Sequence, residues 1–252
     1  MNLLQWPRFL HVLRNDLLLH WKKIWIATLA LAGAGLVAYL TNVDPGAAAR
    51  PALYLGFFSF VLIGGGLIFT STMFADMHHP LQRFHYLTLP CSNLERFLSR
   101  YLLSAPLYYL YVLIAYALFD WVAAVIAHAL MGTRAAAFAP FEPQMLQVAL
   151  QYFCLHALMF AGAIYFRSHT VIKTLLSFVL IGFGLVVLLL VTVRIVYWDY
   201  FETLFMPVQS VIPPPILDVP PYAWTVAGLV LSLWVLFIAY QCLREHEVQG
   251  DL

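Results

Sequence analysis

Thr174-Leu175-Leu176-Ser177-Phe178-Val179-Leu180-Ile181-Gly182-Phe183-Gly184-Leu185-Val186-Val187-Leu188-Leu189-Leu190-Val191-Thr192-Val193 runs without a single charged residue. As a helix it is about 30 Å long, the thickness of the hydrocarbon core of a bilayer. Lipid offers no partner to backbone N–H and C=O groups, so a segment of this kind must close its own hydrogen-bond ladder as a helix. A membrane β-barrel shows alternating stretches of about ten residues, and the 252 residues contain none. The rest of the chain has the same character. It is 63% hydrophobic and 10% charged, with a mean hydropathy of +0.85. Soluble domains are about half apolar and a quarter charged, so a water-soluble globular fold is excluded. An aromatic content of 16% excludes disorder. A net charge of +1 gives no pull on nucleic acid.

Five more apolar stretches, at 24–40, 53–74, 97–119, 148–166 and 223–242, reach or approach the spanning length. The sequence therefore predicts an all-α polytopic membrane protein, one transmembrane domain over 1–252, with six crossings. Counting loops and flanking helix ends, one side carries Arg8, Arg14, Lys22, Lys23, Arg83, Arg96, Arg100, Arg167, Lys173 and Arg244, and the other only Arg50, Arg134 and Arg194. That asymmetry places both termini in the cytosol and the protein, multi-pass, in a cytoplasmic (inner) membrane. Lys22-Lys23, the following apolar run and Ala47-Ala48-Ala49 have the outline of a secretory signal. The leading region of about 23 residues is long and itself patterned, so the segment reads as a retained anchor. Cys91, Cys154 and Cys242 show no C-x-x-C spacing and indicate neither disulfides nor zinc.

Two segments outside the crossings are patterned. Over 3–20, Trp6, Phe9, Leu10, Leu13 and Leu17 share a helical face and Arg8, Arg14, Asn15 and Asp16 fall elsewhere. This predicts an amphipathic helix in the membrane interface, with Pro7 in its first turn. Its alternative is a plain continuation of the first crossing. Between crossings two and three lies a cytosolic coupling segment, 76–88, whose short amphipathic piece, about 81–88, is held between Pro80 and Pro90. It presents His79, Leu81, Arg83, Phe84, His85 and Tyr86 and is suited to receive another protein. Ser92-Asn93-Leu94-Glu95 follows as a capping box opening the third crossing, with Ser92 and Glu95 as its reciprocal pair. His78, His79 and His85 are too few for a metal centre, and no metal site is assigned.

The interfacial helix, the six crossings with cytosolic ends and Leu89-Pro90-Cys91-Ser92-Asn93-Leu94-Glu95 together resemble the membrane subunits of ATP-binding-cassette (ABC) transporters, specifically the type-2 exporter permeases. The heptapeptide is similar to that family's Leu-Pro-x-Ser-x-x-Glu entry to the third crossing. The resemblance implies a permease pairing with a second permease subunit, identical or not, to form the pathway. It also implies a separate ATPase, holding ATP and Mg, docked under 76–88. The residues agree on a separate motor. A P-loop needs Gly-Lys, and Lys22, Lys23 and Lys173 do not follow glycine. The proline-rich outer loop, 198–222, permits only a turn or two of helix near 199–206.

Polar groups at lipid depth mark packing or a pathway. Gln144, Gln147, Gln151 and Cys154 share one face of crossing four. That face forms either a pathway or subunit contact, centred on Gln147 and Gln151, or hydrogen bonds between helices of one subunit. Tyr108 and Tyr111 lie deep beside Pro106, which predicts a kink, and line a pathway or pack. Gly64-Gly65-Gly66 predicts close helix contact or a bend. Asp120, about 30 Å of helix beyond Arg100, reads as a solvated end-cap, with a pathway role in moving a proton or cation as its alternative. His128 is placed outside and His156 inside. Two rival functions remain: a non-transporting scaffold anchoring a cytosolic complex, and an intramembrane enzyme built on Asp120, His128 and His156.

Overall fold

The structure, a computed structural model, describes residues 5–42, 51–78, 91–131, 140–196 and 221–248. Among them no strand occurs. Helix α1 is Trp6–Asn42. A second rod is built from α2 (Pro51–Ser59), a π-helical segment (Phe60–Gly65) and α3 (Gly66–Ser71), with α4 (Ala75–His78) after a turn. A third rod is built from α5 (Asn93–Leu102), a second π segment (Leu103–Leu107) and α6 (Tyr108–Met131). Helices α7 (Pro143–Tyr165), α8 (Thr170–Val196) and α9 (Pro221–Val248) follow among the described residues. Among the described residues five helices are long and apolar enough to cross a membrane: Leu55–Met77, Asn93–Ile126, Pro143–Tyr165, Thr170–Ile195 and Thr225–Glu245. The molecule is a polytopic helical membrane protein.

The amino-terminal region departs from its expected division. The expected helix at 3–20 and the expected first crossing at 24–40 run as one helix, α1, the plain continuation that was the alternative reading. Residues 18–24 contain neither glycine nor proline, so nothing ends the α ladder there. The apolar part, Ile24–Val37, is about 21 Å long. The expected apolar face is also turned. Phe9 is buried and Leu13 packs on the core, but Trp6, Leu10 and Leu17 are exposed. The inward face is Phe9, Leu13, Asp16 and His20, with both polar members buried. Their 4-3-4 spacing is a helical stripe, and hydrogen bonds described below explain why it carries a carboxylate.

Helix α7 is the centre of the bundle. It packs against α9, α3 and α8, and 56% of its spanning window is buried. One core cluster joins Phe74, Phe97, Phe160, Ile164 and Leu243, and a second joins Phe58, Leu62, Val112, Met145 and Tyr152. Helix α8 behaves in the opposite way. None of its spanning window is buried, as expected for an apolar cylinder solvated by lipid. It is attached at its start, where a methyl group on Gly162 would overlap the Thr174 side chain. Between α7 and α8, His169 takes a left-handed conformation (φ 51°) that reverses the chain.

Both π segments have a local cause. Pro106 lies inside the second. It lacks an N–H and its ring excludes the carbonyl one turn back, so the ladder widens instead of breaking. The disturbance expected at Pro106 takes the form of a widened turn. The first π segment ends in Gly64-Gly65, residues of weak helix preference. In each, one carbonyl is taken by a tyrosine hydroxyl from a neighbouring helix. Tyr108 donates to Val61 O at 3.0 Å, and Tyr152 donates to Ser104 O at 2.5 Å. Tyr152→Phe leaves a buried carbonyl without that donor and is expected to cost about 1–2 kcal/mol. Denaturation of the purified variant in detergent, followed by near-ultraviolet dichroism, measures it.

Candidate functional site

The polar groups of the bundle gather where the second rod ends and the third begins, around the 79–90 connection. Ser92 is extended (φ −77°, ψ 157°) and caps α5. Its hydroxyl accepts the Glu95 amide at 3.2 Å, and a Glu95 carboxylate oxygen accepts the Ser92 amide at 2.9 Å. The expected capping box is present, and the structure adds a second use of the same carboxylate. Glu95 Oε2 also accepts Arg8 Nε at 2.8 Å, and Oε1 accepts Arg8 Nη2 at 3.0 Å and the Gln5 amide at 2.8 Å. Gln5 in turn accepts the Phe9 amide at the start of α1. Glu95 is fully buried, and its four donors match the lone-pair capacity of a carboxylate. It sits at the N-termini of two helices, where both dipoles favour an anion. A cation at Arg8 is poorly placed for the α1 dipole and is compensated by a two-pronged ion pair.

Two further contacts from α5 extend this anchor. Ser99 Oγ donates to Asp16 Oδ2 of α1 at 2.7 Å. Arg100, buried, donates from Nη1 to Met73 O and brings Nη2 within 3.8 Å of Asp76 Oδ2. Its guanidinium carbon lies 4.9 Å from the centre of the Phe74 ring, a cation–π contact. Met73 and Phe74 form the turn before α4. One helix start, α5, therefore holds α1 by Glu95 and Ser99 and the end of the second rod by Arg100. Asp76 on one side and Ser92 on the other frame the connection. His79, Leu81, Arg83, Phe84, His85 and Tyr86 fall in that connection and lie outside the described residues.

The other named residues do not converge on one surface. Tyr108 and Tyr111 border a groove of about 460 Å³ between α1 and the second and third rods, with Thr28, Phe57, Phe60 and Gly64 among its walls. Tyr111 and Thr28 share a hydrogen bond of 2.5 Å. Tyr108 also stacks on Phe69, 5.5 Å between ring centres. Gln147 and Gln151 are exposed on α7 and take no part in that groove. Hydrogen bonding of the glutamine face to other helices of the same subunit, one of its two expected roles, is absent among the described residues.

Asp120 is corrected. It is buried, not a solvated end-cap, because α6 continues to Met131. Nothing in 121–131 breaks a helix. His156 is buried as expected, with Nε2 2.8 Å from Ser104 Oγ. Tyr101, Tyr152 and Phe160 surround its ring. Its Nδ1 has no protein partner among the described residues, so this Ser–His pair lacks the orienting third group of a nucleophilic constellation. Along the third rod Asp120 lies about 24 Å from Ser104, and exposed His128 lies about 12 Å further. The three groups of the enzyme reading thus occupy different depths. Among the described residues no three His, Cys, Asp or Glu side chains gather as a metal site.

Sequence reasoning missed the anchor role of Arg8, Asp16, Ser99 and Arg100. The available signal was charge at a membrane boundary: Glu95, Arg96 and Arg100 fall within two turns of an otherwise apolar crossing, where unpaired charge is costly. The chain matches no protein-family model, no curated protein and no solved structure.

Proposed function

We propose that this chain is the membrane-spanning permease subunit of an ABC exporter in a cytoplasmic membrane, with six crossings and both termini cytosolic. A separate nucleotide-binding subunit would hold ATP and Mg, and its hydrolysis would drive export by alternating access in a pair of permease subunits. The observation that carries this reading is the double anchoring around 79–90. Glu95 ties the exit of that connection to α1, and Arg100 ties its entry to the same helix start. Force applied to the connection reaches α1 and both neighbouring rods together. The two π segments lie further along those rods, where a widened turn offers compliance. His79, Leu81, Arg83, Phe84, His85 and Tyr86 would form the docking surface.

The test uses the assembled complex in lipid. Arg83→Ala and Phe84→Ala are expected to lower substrate-stimulated ATP hydrolysis at least fivefold while the permease remains in the membrane at its normal level. Hydrolysis and transport unchanged in both variants would remove the coupling role. A scaffold that anchors a cytosolic complex would bind through the same surface and show no transport in either form.

A further inference from the structure

Helices α7 and α8 both have the length and composition of crossings, and only residues 166–169 separate them. A connection that short cannot leave the membrane boundary, so its side chains lie at the level of the lipid headgroups. Arg167, Ser168 and His169 are exposed there, and so is Lys173 one turn into α8. Lys173 bends back onto the turn, with Nζ donating to Ser168 Oγ at 3.1 Å. Two ammonium hydrogens, the Ser168 hydroxyl hydrogen and the Arg167 guanidinium have no acceptor among the described residues. No carboxylate answers this charge either. From 143 to 198 the sequence has no Asp or Glu, and Glu142 lies at the opposite end of α7. At the turn's own end of the bundle, Glu95 is tied to Arg8, Asp16 to Ser99, and Asp76 lies beside Arg100. Exposed Glu245 forms no ion pair with Arg167 or Lys173 among the described residues.

We propose that the turn between α7 and α8 binds the phosphate of an anionic phospholipid, whose acyl chain lies along the start of α8. The charge complementarity is direct. Arg167 offers a planar fork of donors to phosphate oxygens, and Lys173 adds a compact point charge held in place by Ser168. The hydrocarbon has its own surface. Ile172 and Leu176 are exposed beside the basic groups, and none of the spanning window of α8 is buried. Exposed Tyr165 has the amphipathic ring that settles at headgroup depth. A molecule with a negative headgroup above and an acyl chain below matches both halves of this surface. The inference needs only that α7 and α8 cross the membrane. It does not depend on an ATPase partner or on transport, so it and the permease reading fail separately.

The test adds phosphatidylglycerol to the purified full chain in detergent, with phosphatidylcholine of the same acyl chains and inorganic phosphate as comparison arms. Phosphatidylglycerol is expected to raise the midpoint of thermal aggregation, and the neutral lipid and free phosphate to leave it unchanged. Each basic side chain at an anionic lipid surface contributes about fivefold to binding, so Arg167→Gln with Lys173→Gln should raise the lipid concentration that gives half the shift at least tenfold. Arg14→Gln with Lys22→Gln removes the same charge from exposed positions on α1 and should leave that concentration unchanged. Phosphatidylglycerol with a photoreactive headgroup should label the segment 165–173 of the unsubstituted protein, a readout that needs no variant to fold. Equal effects of the two double variants, an equal response to phosphatidylcholine or to phosphate, or labelling confined to other segments would overturn the site.

Discussion

Glu95→Ala is expected to lower stability by about 3 kcal/mol and, in the proposed permease role, to abolish coupled transport. The substitution leaves the Gln5 and Ser92 amides and the Arg8 guanidinium without their shared acceptor, and a buried ionic network broken on one side is among the costlier single changes. The penalty should appear as a lower midpoint of thermal aggregation in detergent. A double-mutant cycle separates the network from general damage. If Glu95 and Arg8 act as one unit, adding Arg8→Ala to Glu95→Ala costs little more, and the two losses fall well short of additive. Additive losses would show that the pair is incidental. Glu95→Gln retains an acceptor for one or two amides and should fall between wild type and alanine.

Gly66→Ala is the second large effect. A Cβ at Gly66 would overlap the ring of Tyr152 and lie 3.0 Å from the ring of Tyr108. Both tyrosines are engaged with π-segment carbonyls, so neither moves without losing a hydrogen bond. Overpacking of this kind costs about 1–3 kcal/mol, and here the hydrogen-bond losses place it at the upper end. Gly64→Ala is the control. Only the Phe60 ring, at 3.9 Å, lies near its Cβ, and alanine favours a helix by up to about 1 kcal/mol. Neighbouring glycines should therefore respond with opposite signs, as judged by unfolding in detergent. Equal responses would contradict the close approach of α3, α6 and α7.

The parts of the fold that were legible follow from length and local chemistry. The uncharged run at 174–193 needs only the thickness of a bilayer to be read, and Ser92–Glu95 needs only the geometry of a helix start. Pro106 was legible as a disturbance but not in kind. Whether proline bends or widens a helix depends on what accepts the released groups, and the donor to Ser104, Tyr152, is distant in sequence. The continuity of α1 was legible only as the alternative to an interfacial helix, because amphipathic and apolar segments differ in composition while nothing between them stops a helix. The anchor at Glu95 was half legible. Its local partner Ser92 is three residues away, but Arg8 and Gln5 belong to another helix, and no spacing rule links them. The exposure of Gln147 and Gln151 was open for the same reason: a shared face is a property of one helix, and its neighbour is a property of the fold.

The most direct test of the account is the composition of the complex purified from native membranes through a tag on this chain. The expected result is a soluble P-loop ATPase in equal copy number, released by Arg83→Ala with Phe84→Ala and retained by substitutions on lipid-facing α8. A preparation free of any P-loop protein under conditions that preserve the membrane assembly, or an extracytosolic location of 79–90 by site-directed labelling, would contradict it.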